Sequence, residues 1–402
     1  MLKTTAITWS GWDETAHKVL PRSFWNQPDI EVHAGDVLVT KAGPRHRVGV
    51  VCHVSSTRKQ LVVSGKMIGL RPKTGVVEPI VLAALIAGRM PQKYIHDRTT
   101  GMAESQVNFA NEVLLDAPLV VPPPREQRVI ARISALLDTA IRETEAIIAK
   151  LKAVSQGLRH DLLTRGIDGN GQLRAPQSEA PHLYKESPLG WIPKEWSVKS
   201  LEQILAEPTK NGLYKPSQFH GRGPLMVQMG GLFAGEAADF QTATRVHVSP
   251  SELNVFSLAV GDLLFARRSL VFEGAGLCVI VRDLPGPATF ESSIVRARVR
   301  QDLALPEFVC QFLRGEASSA QRRTLIRQVA VSGVSSSDIR HLLLAIPPLP
   351  EQRLIVDRQL LIQSQIEDAV KTVAKLSNQK IGLMDDLITG RVRVTPLLMQ
   401  AE

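Results

Sequence analysis

Two Gly-Asp turns are each followed by a short apolar run and then by basic residues. The first, Ala34-Gly35-Asp36-Val37-Leu38, leads to Lys41, Arg45, His46 and Arg47; the second, Val260-Gly261-Asp262-Leu263-Leu264, leads to Arg267 and Arg268. A guanidinium reads guanine through two parallel hydrogen bonds, and Arg and Lys both neutralise phosphates. A strand and loop bearing them can therefore position and read a nucleic acid together. Lys66 and Arg71 extend the candidate set in the first stretch, and Lys210, Tyr214, Lys215, Gln228, Arg296 and Arg298 in the second. For any one of these residues the competing reading is an ordinary solvated basic loop.

Enzyme chemistry leaves no comparable mark. Ser64-Gly65-Lys66 lacks the earlier glycine of a phosphate-binding GxxxxGK[ST] loop, and no GxGxxG follows a strand pattern. A base-flipping adenine methyltransferase needs an Asn/Asp-Pro-Pro-aromatic turn, whereas the Pro-Pro pairs here run into Pro-Arg-Glu-Gln or Leu-Pro-Glu-Gln. Histidines are scattered, and Cys52, Cys278 and Cys310 show no CxxC or Cys/His spacing, so neither a metal site nor a disulfide framework is expected. No catalytic residue and no cofactor is expected in this chain. The balance of 48 Lys+Arg against 39 Asp+Glu suits a polyphosphate partner. No basic start leads into an apolar h-region, and no apolar run nears the roughly 20 residues that span a bilayer, so a cytoplasmic protein without a membrane partner is expected.

The elements that must carry these residues form a repeat. Val121-Pro122-Pro123-Pro124-Arg125-Glu126-Gln127-Arg128 is matched 225 residues later by Ile346-Pro347-Pro348-Leu349-Pro350-Glu351-Gln352-Arg353 (122 against 347). The Gly-Asp turns match at 35 and 261, and Leu162-Leu163-Thr164-Arg165-Gly166 answers Leu387-Ile388-Thr389-Gly390. Three matches in one order at nearly one offset indicate duplication.

Between the Pro-Pro and Leu-(Leu/Ile)-Thr marks, apolar residues recur at alternating steps of four and three, the period of a coiled-coil seam. The first seam runs Ile130, Ser134, Leu137, Ile141, Thr144, Ile148, Leu151, Ser155, Leu158, Leu162; the second runs Ile355, Gln359, Ile362, Ile366, Ala369, Val373, Leu376, Lys380, Leu383, Leu387. Even the polar breaks coincide, Ser134 with Gln359 and Ser155 with Lys380, which suits helices whose register is fixed by local polarity. Proline suits the first turn of each helix, and Glu126 or Glu351 lies near the positive end of its dipole. At 1.5 Å per residue each helix is about 60 Å long, more than a small domain needs to bury one face, so it reads as a spacer.

The order module, helix, module, helix requires the second helix to run antiparallel to the first. The expected fold is two mixed α/β (α+β) modules separated by a long antiparallel two-helix coiled coil, a dumbbell with a pseudo-two-fold axis. Its expected parts are a first module at 1–121, a helix at 122–166, a linker rich in Gly, Ser, Pro and Asn at 167–186, a second module at 187–346, a helix at 347–393 and a tail at 394–402. No counterpart of Gly190-Trp191-Ile192-Pro193 precedes Met1, so the first module is expected to lack its N-terminal segment.

A duplicated Pro-Pro-x-x-Glu-Gln-Arg before a long helix ending in Leu-(Leu/Ile)-Thr-(Arg)-Gly resembles the specificity subunit of type I restriction-modification systems. The segment Leu189-Gly190-Trp191-Ile192-Pro193-Lys194-Glu195-Trp196 is similar to that family's entry into its second target-recognition domain, and Gly261-Asp262-Leu263-Leu264-Phe265-Ala266-Arg267 to the strand within it. The resemblance implies that each module reads one half of a bipartite double-stranded DNA target. It further implies that the helices set the spacer and dock two methyltransferase subunits, and that restriction subunits join this core. S-adenosylmethionine, ATP and Mg would then be used only by partner subunits. The runner-up reading is a coiled-coil scaffold that organises protein partners without specific DNA readout.

Overall fold

A glycine in the left-handed region starts the central strand of each module: Gly35 has φ +92° and Gly261 φ +91°. A side chain is strained there, so the turn selects glycine. The computed structural model describes residues 1–398 apart from 10, 23–24, 26–27, 270–273 and 329–331. The tail's residues 399–402 lie outside the described ones. The chain divides into two units, the first made of Met1–Ala149 with Glu367–Glu402 and the second of Lys150–Ile366.

In the first unit, strand Val37–Thr40 lies between Val51–His53 and Met67–Leu70, antiparallel to both. Its four residues are all buried, because the sheet is covered on both faces. Val37 and Val39 join the core shared with helices Pro79–Ala87 and Arg89–Asp97, while Leu38 joins a second core with Leu2, Ile7 and Val32. A smaller sheet places Gln106–Asn108 between Ala42–Gly43 and Thr100–Ala103.

The second unit repeats this plan. Strand Leu263–Ala266 lies between Cys278–Ile280 and Ile294–Ala297, again antiparallel to both, with Lys210–Asn211 added at the edge. Helices Pro306–Arg314 and Glu316–Leu325 follow, as Pro79–Ala87 and Arg89–Asp97 do in the first unit. A ribbon of His220–Val227 and Thr244–Val246, with Ala288–Phe290 parallel to the former, has no counterpart in the first unit among the described residues. Ser197–Ser200 pairs with Leu343–Ile346 immediately before the second long helix.

The long helices run over Pro124–Thr164 and Leu349–Ile388. In the first unit Ile130, near the start of the first helix, shares a core with Met384 and Leu387 at the end of the second. Asp138 there meets Lys380 Nζ at 2.5 Å, and Glu126 meets Arg393 at 2.5 Å. In the second unit Leu162 and Leu163 share a core with Ile355 and Val356. Start beside end in both units makes the pair antiparallel. Every seam position named above is buried or half-buried. Of the polar breaks, Lys380 is answered by Asp138, while Ser134 Oγ and Gln359 Nε2 have no hydrogen-bond partner among the described residues.

The cysteines are free, buried thiols, and burial pushes Cys52 up to about 12. No described helix is long and apolar enough to cross a membrane.

Candidate nucleic-acid interface

Each Gly-Asp turn is locked by its own aspartate. Asp36 Oδ2 accepts from His33 N at 2.8 Å, and Asp262 Oδ2 accepts from Ala259 N at 2.8 Å. One arginine, just beyond the third strand of each sheet, then closes the same turn. Arg71 Nε donates to Asp36 Oδ1 at 2.8 Å and Arg298 Nε to Asp262 Oδ1 at 2.7 Å. These hydrogen bonds raise both guanidinium pKa values. Burial works against ionisation of Asp36, yet Arg71 and the His33 amide hold its carboxyl below the ordinary value. Arg71 and Arg298 are therefore engaged within the protein, with side chains that stay 62% and 35% exposed.

Three candidates converge on one carboxylate in the second unit. Glu207 takes Arg296 at 2.7 Å, Lys210 at 2.9 Å and Arg298 at 3.1 Å. Burial opposes its charge, but Lys210 and the guanidiniums hold its carboxyl below the ordinary range. Arg296 is only 2% exposed and also donates to the Ser257 carbonyl, so it cannot reach a nucleic acid without unfolding its surroundings. Lys215 pairs with Glu252 at 2.7 Å and lies against the Phe219 ring, leaving its side chain 11% exposed. In the first unit Arg47 donates to the carbonyls of Thr4 and Ile7 at 2.6 and 2.8 Å and ties down the start of the chain. Sequence reading could not see these pairings, because the partners meet only once the sheets have formed.

Other candidates keep their polar ends toward solvent. Lys66 and Arg268 are exposed, Tyr214 is 79% exposed and Arg267 is half-buried; no side-chain hydrogen bond or ion pair of theirs is found among the described residues. Lys41 donates to Asn111 at 3.1 Å, and Arg45 forms an exposed pair with Glu104 at 2.7 Å that water and salt screen. Gln228 donates to Thr244 Oγ1 at 3.0 Å. Arg268 sits on strand Arg268–Ser269, paired with Ser332–Gly333. The ribbon adds residues that sequence reading missed. Arg222 stands exposed between Gly221 and Gly223, at φ +107° and +101°, and Arg245 is exposed on the partner strand. The Gly-Arg-Gly triplet was the available signal.

One glutamine fastens each module to its helix. Gln127 Oε1 accepts from Glu78 N at 2.9 Å, and its Nε2 donates to Val76 O at 3.3 Å and Pro122 O at 2.8 Å. Gln352 repeats this with Leu305 N at 2.8 Å, Leu303 O at 3.2 Å and Pro347 O at 2.8 Å. Both side chains are buried, 2% and 0% exposed. Each module is thus joined to a long helix by one buried side chain that makes three hydrogen bonds.

Duplicated modules, each built around a strand flanked by two antiparallel neighbours, together with two long helices define the class: this is the fold of the S subunit of a type I restriction-modification system. Such a subunit from M. genitalium superposes with a TM-score of 0.52 over 96% of this chain and 91% of that one, at 12% identity. The chain is a relative of type I restriction enzyme specificity subunits. It is 33% identical to the EcoEI specificity subunit of Escherichia coli over 166 residues, 41% of this chain and 27% of that protein. It is 21% identical to the MjaVIII specificity subunit of Methanocaldococcus jannaschii over 344 residues, 84% of this chain and 76% of that one. The match to the EcoEI subunit thus spans about a quarter of that relative's length. No protein-family model matches the chain.

Proposed function

We propose that this chain is the non-catalytic, sequence-reading subunit of a type I restriction-modification complex, with each module contacting one half of a bipartite double-stranded DNA target. The observation that carries this reading is the repetition of one built turn: Gly35, Asp36 and Arg71 in one module, Gly261, Asp262 and Arg298 in the other. The same scaffold, presented twice, leaves different basic side chains free, Lys66 in one unit and Arg222, Arg267 and Arg268 in the other. Two readers of common descent and unlike surface suit two unlike half-sites. The antiparallel helices would set the gap between halves, since recognition elements on one face of DNA are separated by about one helical turn, roughly 34 Å, or multiples of it. Docking of two methyltransferase subunits along the helices, and of restriction subunits on that core, belongs to the same proposal. S-adenosylmethionine, ATP and Mg would be handled by those partners.

The test is iterative selection of DNA bound by the chain, alone and with the methyltransferase subunit, from a random-sequence library. Enrichment of a split motif with a fixed gap, bound with an affinity that falls steeply with salt, is the expected result. Salt-insensitive binding without any enriched motif, beside a stable protein complex, would replace this reading with that of a scaffold.

A further inference from the structure

One residue past its central strand, each module enters a second, smaller sheet. In the first unit Lys41 leads into Ala42–Gly43, which pairs with Gln106–Asn108 and through it with Thr100–Ala103. In the second unit Arg267 leads into Arg268–Ser269, which pairs with Ser332–Gly333 and through it with Arg327–Gln328. One main-chain hydrogen bond holds the junction in both. Phe109 N donates to Lys41 O at 3.1 Å and Val334 N to Arg267 O at 3.0 Å, at repeat offsets of 225 and 226 residues. Phe109 and Val334 are themselves buried in the cores of their units. The small sheet is thus pinned to the central one, and side chains on its outer face inherit their position from a packed core.

That outer face carries different chemistry in the two units. Along Gln106–Asn108 the burial runs exposed, buried, exposed, so Val107 enters the core while Gln106 and Asn108 share the outer face. Asn108 stands opposite Ala42 on one side and Thr100 on the other. Its side-chain oxygen accepts from the Thr100 hydroxyl at 3.4 Å, and its amide NH2 group has no partner among the described residues. In the second unit Arg268 takes the place of Ala42, exposed and opposite Gly333. Each row therefore sets one exposed polar side chain against a residue too small to cover it, Asn108 against Ala42 and Arg268 against Gly333. The hairpin 100–108 holds a single acidic residue, Glu104, and Arg45 neutralises it at 2.7 Å.

We propose that the outer face of this small sheet is the base-reading element of each module, with Asn108 reading an adenine in one half-site and Arg268 a guanine in the other. The inference rests on the DNA-reading function proposed above and adds which base each module demands. An asparagine amide matches adenine N6 and N7 in the major groove, a guanidinium matches guanine O6 and N7, and the groove admits a two-stranded β-ribbon. A reader carried on a pinned strand is also placed more precisely than one on a loop.

The random-library selection is repeated with full-length Asn108→Ala and Arg268→Ala beside the wild type. Both residues are exposed, and an unchanged melting temperature verifies that the variants fold. Asn108→Ala is expected to lose the enrichment of one adenine in one half-site, and Arg268→Ala that of one guanine in the other, with the gap and all remaining positions kept. At the affected position, discrimination against the wrong bases should fall to none from a factor of about 5 to 150, the range for one bidentate base contact. A wild-type split motif that persists unchanged in either variant overturns the assignment of that residue while DNA reading stands. A uniform loss of affinity over all sequences with a shallower salt slope overturns it too, because the residue then contacts a phosphate. A wild-type chain that selects no motif removes the DNA-reading function and this inference together.

Discussion

Arg174 and Glu351 face each other across a buried double hydrogen bond, Nη1 to Oε1 at 2.5 Å and Nη2 to Oε2 at 3.0 Å. Arg174 lies just past the first long helix, and Glu351 sits in the first turn of the second. The same carboxylate accepts from the Ile167 amide at 2.8 Å and from the Trp196 indole at 3.1 Å. A residue legible in the sequence as a helix-dipole partner is therefore also the hub that joins the linker, the second module and the second helix. Removing the arginine strands a buried charge that two remaining hydrogen bonds, from the Ile167 amide and the Trp196 indole, hold in place.

Arg174→Ala is accordingly expected to destabilise the second unit by about 3–5 kcal/mol, the range for breaking one side of a buried ion pair. Urea denaturation followed by tryptophan fluorescence reports it through Trp196. A loss well under about 1 kcal/mol would show that Trp196 and the Ile167 amide suffice to hold Glu351.

Gln127→Ala and Gln352→Ala each leave a buried amide and carbonyls unsatisfied, at an expected cost of about 1–3 kcal/mol apiece. Hydrogen exchange should quicken at the Glu78 amide in the first variant and at the Leu305 amide in the second. Unchanged exchange at those positions would mean that the side chains do not fasten module to helix.

Arg268→Ala and Arg296→Ala should part company. The exposed Arg268 is expected to contribute to DNA affinity and, if it contacts a phosphate, to the salt slope, which would fall by about 1 with no change in melting temperature. The buried Arg296 is expected to lower the melting temperature of the second unit, because Glu207 and the Ser257 carbonyl lose a partner. Equal DNA affinity and salt slope for Arg268→Ala would remove that residue from the interface.

Acid should release the Lys215–Glu252 contact. Hydrogen bonds from Lys215 and the Ser249 amide bring the Glu252 carboxyl down to about 2 from an ordinary 4.5. A depressed folded-state value means that the stabilisation is complete above pH 4.5 and is lost as pH falls toward 2. The stability gap between the native chain and Glu252→Gln is thus expected to shrink across that window. A gap constant from pH 7 to pH 2.5 would contradict the assignment.

The duplication, the heptad seams and the antiparallel sense of the helices were legible, because each rests on spacing along one chain. Which basic residues are free was not. Arg71 and Arg298 look like any solvated cation until the third strand of each sheet carries them back to Asp36 and Asp262. Gln127 and Gln352 were visible as matched letters, but their hydrogen bonds go to loops 47–51 residues away in sequence. Side-chain engagement of this kind depends on topology, and motif spacing does not encode topology at that distance.

The division of the chain has a consequence for how the protein is made. The second unit is one uninterrupted stretch, Lys150–Ile366, whereas the first needs Glu367–Glu402 as well as Met1–Ala149. On a ribosome, which emits the N-terminus first, the module synthesised earliest is the one completed last: Ile130 waits for Met384 and Leu387, and Glu126 for Arg393. A nascent chain stalled just after residue 366 would carry a finished second unit and an unfinished first one, so quality control in the cell would act on the unit made first.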